Sequence, residues 1–207
     1  MKIPFTEEQY FTLRPFKVID RAEVFVDCGA FVGDTIERYL FQREGTFKKI
    51  YAFEPTARTF KALEKRVERL KCEWALNDDQ ITIENAGVDH ITQSKYLQKD
   101  DSSGLGNRLS DNPADGTEIN TVALNDYFSA QKVSFIKADI ESYELNMLKG
   151  AEKIIRRDRP NLAICIYHNT SDMFRIQTWI RNLNLDYKFA VRNHYVTVGE
   201  TVLYAWQ

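Results

Sequence analysis

Val24-Phe25-Val26-Asp27-Cys28-Gly29-Ala30-Phe31-Val32-Gly33-Asp34 is the stretch from which the fold is read. Its first six residues form a short apolar run stopped by glycine, the mark of a buried strand. Beyond it, Ile36, Tyr39 and Leu40 recur at i, i+3 and i+4, which predicts a helix from about Gly33 to Arg43. A strand that passes through a glycine turn into a helix is the opening unit of a doubly wound α/β sheet.

The alternation continues outward. Lys49 to Glu54 (KIYAFE) reads as a second strand, ended by Pro55. Phe60, Leu63, Val67 and Leu70 place an amphipathic helix after it. Ile81 to Val88 is a third strand, with Lys95 to Gln98 as its candidate partner. Residues 99–118, rich in Ser, Gly, Asn and Asp, predict a long loop, and such a loop is functional or disordered. A short strand from Thr121 to Leu124 and a helical turn over 125–130 follow. Val133 to Asp139 is a strand, Tyr143 to Arg157 one helix, and Leu162 to Tyr167 a central strand. Ile176, Trp179, Ile180 and Leu183 mark the last helix. Tyr187 to Val191 and Thr201 to Trp206 leave no room for a helix between them, so they pair antiparallel around a turn at 193–200. The expectation is a mostly parallel sheet covered on both faces.

The chain has 207 residues and suits one domain rather than two. The expected organisation is a single domain over 1–207, with 1–23 an N-terminal extension acting as arm or lid. The net charge of −2 lacks the basic footprint of a nucleic-acid binder, so no nucleic-acid partner is expected. No run approaches a membrane span and the first twenty residues do not read as a signal peptide, so a cytoplasmic protein is expected. Cys28, Cys72 and Cys165 are far apart and form no metal or disulfide pattern. Cys28 and Cys165 sit in apolar runs and read as small hydrophobes.

Three strand ends carry the candidate chemistry. Gly29 and Gly33 flank the first turn, but Ala30 and Phe31 break the GxGxxG pattern of a dinucleotide site. Asp27 and Asp34 would repel a pyrophosphate and suit a cationic ligand. S-adenosylmethionine, with a sulfonium, an ammonium and no phosphate, meets that requirement better than NAD. Glu54 lies about 25 residues beyond Gly29, near the position from which an acidic residue grips ribose hydroxyls. At the third end, Asp139, Glu141 and Glu144 crowd into six residues. Asp139 should point into the crevice; one of these carboxylates could orient an acceptor hydroxyl, act as base or help hold a divalent cation, and Asp139 and Glu141 are the candidates both for catalysis and for a metal. His168 also follows a strand and is a candidate base. His90 and His194 fall on turns and read as structural or solvated. The 99–118 loop, with Ser102, Ser103, Asn107 and Arg108, is a candidate acceptor lid.

DCGAFVGDT, YAFEP, ENAGV, FIKADIESYELNMLKGA, RPNLAICIYH and ETVLYA, in that order, resemble the FkbM family of methyltransferases. The resemblance covers about Val24 to Trp206. It implies a seven-stranded, Rossmann-like class I methyltransferase sheet whose last strand is antiparallel, and methyl transfer from S-adenosylmethionine, usually to a hydroxyl oxygen. By position it places Asp27, Gly29, Ala30 and Gly33 on the methionine side and Glu54 on the ribose. It places Asn85 and Ala86 near the adenine, with Asp139 and Glu141 near the transferred methyl. Ser142 stands where the family's run usually has glycine, which puts the local φ and the acceptor geometry in question. A small-molecule or glycan acceptor is implied; a homodimer stays open. The rival readings are a non-catalytic binding module on this fold and an NAD-dependent oxidoreductase.

Overall fold

The computed structural model describes residues 9–98, 108–197 and 199–207. Strand β1 (Val24–Cys28) is buried along its whole length. Phe25 faces one side of the sheet and Val26 and Cys28 the other, so one short run feeds both cores. Helix α1 (Asp34–Gln42) follows, with Ile36, Tyr39 and Leu40 inward as their spacing predicts. Then come β2 (Lys49–Phe53), α2 (Ala57–Glu73) and β3 (Ile81–Glu84), with Leu63, Val67 and Leu70 buried on α2.

The expected third strand, 81–88, splits. Its first half is β3; its last two residues form β4 (Gly87–Val88) in a second sheet. That sheet also holds β5 (Gln93–Gln98), β6 (Arg108–Ser110) and β7 (Gly116–Val122), in the order β4-β7-β5-β6. The expected pairing of 95–98 with 81–88 is therefore corrected: β5 pairs antiparallel with β6 and β7. The expected loop over 99–118 is also corrected in its second half, which contains β6, a 3-10 turn at Pro113–Asp115 and the start of β7.

Helix α3 (Leu124–Tyr127) leads to β8 (Phe135–Ala138). The single helix expected over 143–157 is two, α4 (Glu144–Gly150) and α5 (Glu152–Asp158). Two long-range contacts make the break. A Cβ on Gly150 would stand 2.2 Å from the Asp89 carbonyl oxygen, so only glycine lets these backbones meet. Asn125 Oδ1 accepts from Lys153 N at 2.9 Å and from Ile154 N at 3.3 Å, capping α5 from another element.

The chain ends with β9 (Asn161–Cys165), α6 (Asp172–Asn182), β10 (Lys188–Asn193) and β11 (Thr201–Trp206). The main sheet has seven strands in the order β10-β11-β9-β8-β1-β2-β3. Only β11 runs against its neighbours, between β9 and β10. One face packs on α3 to α6. The other packs on α1, α2 and the N-terminal segment, whose Phe11 and Phe16 are fully buried among Phe25, Phe135 and Tyr204. The strand order reverses beside β1, so the crevice beyond the carboxyl ends of β1, β2 and β8 is where a ligand belongs. Among the described residues no helix is long and apolar enough to cross a membrane.

Candidate active site

That crevice is a cavity of about 290 Å³. Its floor is the turn after β1. Gly29 has φ +79°, and a Cβ there would stand 2.0 Å from the Asp139 carbonyl oxygen. The ends of β1 and β8 approach this closely only because position 29 is glycine. Gly29 N and Ala30 N both donate to the Phe53 carbonyl at 3.0 Å, which ties the turn to β2 as well.

Lys137 on β8 braces the turn from below. Its ammonium stands 2.9 Å from Asp27 Oδ1 and donates to the Gly29 carbonyl at 2.7 Å. Burial pushes the Asp27 carboxyl up to about 6, against the pull of Lys137. Burial also opposes the Lys137 charge, but Asp27 and Asp139 outweigh it and hold that ammonium above its ordinary pKa.

Glu54, just past β2, is buried and already oriented. One carboxylate oxygen accepts from Phe31 N at 3.0 Å. The other accepts from Thr56 N at 2.8 Å and Thr59 Oγ1 at 2.7 Å. A carboxylate has about four lone-pair sites, so capacity remains for a ligand hydroxyl. Asn85 is exposed and directs its amide to the carbonyls of Glu54 and Pro55, at 2.9 and 3.2 Å.

The opposite wall is acidic. Asp139 Oδ2 accepts from Tyr10 OH at 2.9 Å, and Oδ1 from Tyr167 OH at 3.1 Å. His168 lies behind it with its side chain 6% exposed. Its Nδ1 meets Glu144 Oε1 at 2.8 Å, while Nε2 is 3.3 Å from Asp139 Oδ1 and 3.7 Å from Glu141 Oε2. Burial disfavours the imidazolium, but Glu144, Asp139 and Glu141 together raise its pKa to about 9. Glu141 and Ser142 both have positive φ, +54° and +78°, so the serine keeps the left-handed turn that glycine would make without strain.

The expected site residues thus divide. Gly29, Glu54, Ala86, Asp139 and Glu141 line the cavity. Asp27, Ala30, Gly33, Asn85 and His168 stand behind its walls: Asp27 under the turn, Ala30 against the core, Gly33 at the start of α1, Asn85 outside and His168 beneath the carboxylates. Ser102, Ser103 and Asn107 lie outside the described residues; Arg108 opens β6. His194 is buried, its Nε2 2.8 Å from Tyr204 OH, and His90 pairs with Asp89.

The sequence reading missed Tyr10, Phe31, Tyr167 and Leu109, all of them cavity residues. Tyr143 OH donates to the Leu109 carbonyl at 2.9 Å, which draws β6 against the cavity. Tyr167 had a signal, since it ends the same apolar run as His168. Tyr10 had none.

Comparison with known proteins agrees with this geometry. The model of the methyltransferase FkbM domain matches residues 27–189. Methyltransferase FkbM from Methylobacillus flagellatus KT superposes with a TM-score of 0.78 at 25% identity, over 98% of this chain and 48% of that one. The chain therefore spans about half the length of that protein. An rRNA methylase from Streptococcus thermophilus has a TM-score of 0.53 at 16% identity, over 92% of this chain and 91% of its own. Aeropyrum pernix fibrillarin, with S-adenosyl-L-methionine natively bound, has 0.53 at 12%, over 90% and 66%. These two share the fold. No curated protein is a significant match. The main sheet is the Rossmann-like sheet of these methyltransferases, and with a match running from Asp27 to Phe189 the chain belongs to the methyltransferase FkbM domain family.

Proposed function

We propose that the chain is an S-adenosylmethionine-dependent methyltransferase acting on a hydroxyl oxygen of a small-molecule or glycan acceptor, in the cytoplasm. One observation carries this reading. Among the described residues, the cavity is lined by the carboxyl groups of Asp34, Glu54, Asp139, Glu141 and Glu200 against two cations, Arg38 and Lys137. Lys137 is engaged by Asp27, and Arg38 stands 3.6 Å from Asp34. Such a wall favours a cationic ligand and repels a pyrophosphate.

The residues fit this cofactor. Gly29 lines the cavity, so a ligand can approach the turn after β1, and Glu54 retains acceptor capacity for ribose hydroxyls. Bound there, S-adenosylmethionine supplies the electrophilic methyl group. The chain supplies orientation and a proton acceptor. Asp139, fixed by two tyrosine hydroxyls at the mouth of the acidic wall, accepts the hydrogen bond of the incoming hydroxyl and takes its proton. His168 is screened from the cavity by Asp139 and Glu141. It acts by holding those carboxylates rather than as the base. Leu97, Leu109 and Tyr143 give the acceptor side an apolar rim that limits water.

The test is calorimetric titration with S-adenosylhomocysteine, with NAD as control, followed by a screen of hydroxylated acceptors. Binding of the first ligand only, lost in Glu54→Ala, and a methylated product support the reading. Tight binding without product from any acceptor moves the non-catalytic module to first place.

A further inference from the structure

We propose that His168, Asp139 and Glu141 form a site for one divalent first-row cation, such as Mn²⁺ or Zn²⁺, at the acceptor end of the cavity, with Glu144 orienting the histidine. The site deepens the proposed function and rests on it only for its purpose, not for its chemistry. His168 is 6% exposed, and its Nε2 is buried with no hydrogen-bond partner. That nitrogen nonetheless faces two carboxylates, 3.3 Å from Asp139 Oδ1 and 3.7 Å from Glu141 Oε2. Donor atoms that share one ion at about 2.1 Å stand roughly 3.0 to 3.4 Å apart for octahedral or tetrahedral angles. The first spacing already lies in that range, and the second needs a small rotation of a half-exposed glutamate.

Glu144 decides which nitrogen is the donor. Its Oε1 accepts from Ile140 N at 3.0 Å and meets His168 Nδ1 at 2.8 Å. A carboxylate accepts, so the Nδ1 proton is held there and the lone pair of the neutral ring lies on Nε2. A carboxylate behind a histidine in this way is the usual outer support of a metal-bound imidazole. The other Glu144 oxygen, Oε2, is buried without a partner, and ligand atoms of Asp139, Glu144 and His168 lie within 4.8 Å of one another. Three carboxylates converge on one imidazole, and the buried Lys137 ammonium is bound to Asp27. A dication balances this charge; one imidazole nitrogen with carboxylate oxygens suits Mn²⁺ or Zn²⁺ better than Mg²⁺, which prefers oxygen alone.

Asp139 and Glu141 both line the cavity, so the ion would have a side open to the acceptor. A hydroxyl bound there is acidified and becomes easier to deprotonate.

The test titrates MnCl₂, then ZnCl₂, into the full chain without cofactor, followed by calorimetry and, for Mn²⁺, by loss of the free-ion electron paramagnetic resonance signal. One equivalent should bind. His168→Gln and Glu141→Gln should each weaken binding at least tenfold, and Glu144→Gln by roughly ten- to hundredfold. Glu141 is the most exposed of the four, so its variant stays informative if the buried ones unfold. Neither metal binding at 1 mM, or wild-type affinity in Glu141→Gln and His168→Gln, overturns the site. Separate titration with S-adenosylhomocysteine keeps the two ideas apart: that ligand binding without metal sinks only this site, and metal binding without that ligand sinks only the cofactor reading.

Discussion

The Lys137 ammonium lies 2.9 Å from the Asp27 carboxylate, linking β8 to β1 directly beneath the turn that floors the cavity. Both side chains are withdrawn from solvent, and the same ammonium holds the Gly29 carbonyl. The pair braces the floor of the cavity, and Lys137 itself lines it.

Lys137→Met should therefore destabilise the chain by about 3 kcal/mol at pH 7, because it leaves a buried carboxylate uncompensated. The Asp27 pKa is already raised by burial to about 6, and losing Lys137 raises it further. A carboxyl raised in the folded state favours folding while protonated and loses that contribution as pH climbs through the raised value. The variant should recover stability between pH 7 and pH 5. Urea melts at both values check this; an equal deficit at the two would show that the carboxylate is not the cause.

Gly29→Ala should abolish S-adenosylhomocysteine binding. The added methyl group meets the Asp139 carbonyl oxygen at 2.0 Å, and both backbones belong to the sheet. Overpacking of this kind costs about 1–3 kcal/mol. Calorimetry beside a thermal melt separates a displaced turn from an unfolded chain, and retained affinity would contradict the geometry.

Ser142→Gly should stabilise the chain by about 0.5–1 kcal/mol, since a left-handed residue with a Cβ carries roughly that strain after the entropy of the added glycine is counted. Ser142 has φ +78°. A lower urea midpoint in the variant would mean that the serine side chain contributes more than its backbone costs.

Asp158 gives a prediction of opposite sign in acid. Its carboxylate accepts from Val133 N at 2.9 Å and from Arg157 at 2.7 Å, and these bonds outweigh burial to hold its pKa below the usual value. A depressed carboxyl stabilises above its unfolded pKa and loses that contribution as pH falls through the folded one. Asp158→Asn should melt earlier than wild type at pH 7, and the gap should narrow by pH 3. A gap that stays constant would assign the effect to packing.

The main sheet was legible because its strands are short apolar runs between helices, as in β1, β8, β9 and β11. The second sheet was not. Gln93–Gln98 and Gly116–Val122 are polar and only partly buried, so no hydrophobic period announces them. The break between α4 and α5 was hidden because its causes, Asp89 and Asn125, are remote in sequence. At the site, residues on strand ends were readable from alternation and turn glycines. Lys137 and His168 were visible as types, but their roles depend on what faces them across the sheet. Tyr10 comes from a segment with no periodicity at all.

That segment makes a contact across 194 positions of the sequence. Tyr10 N donates to Tyr204 OH on β11 at 3.0 Å, while its own hydroxyl holds Asp139. During synthesis the aspartate therefore waits for an anchor whose own mooring, β11, leaves the ribosome some 190 residues after it. The complete site should assemble only once β11 has been made, and a fragment trimmed to residues 27–189 keeps Tyr167 on Asp139 but loses Tyr10.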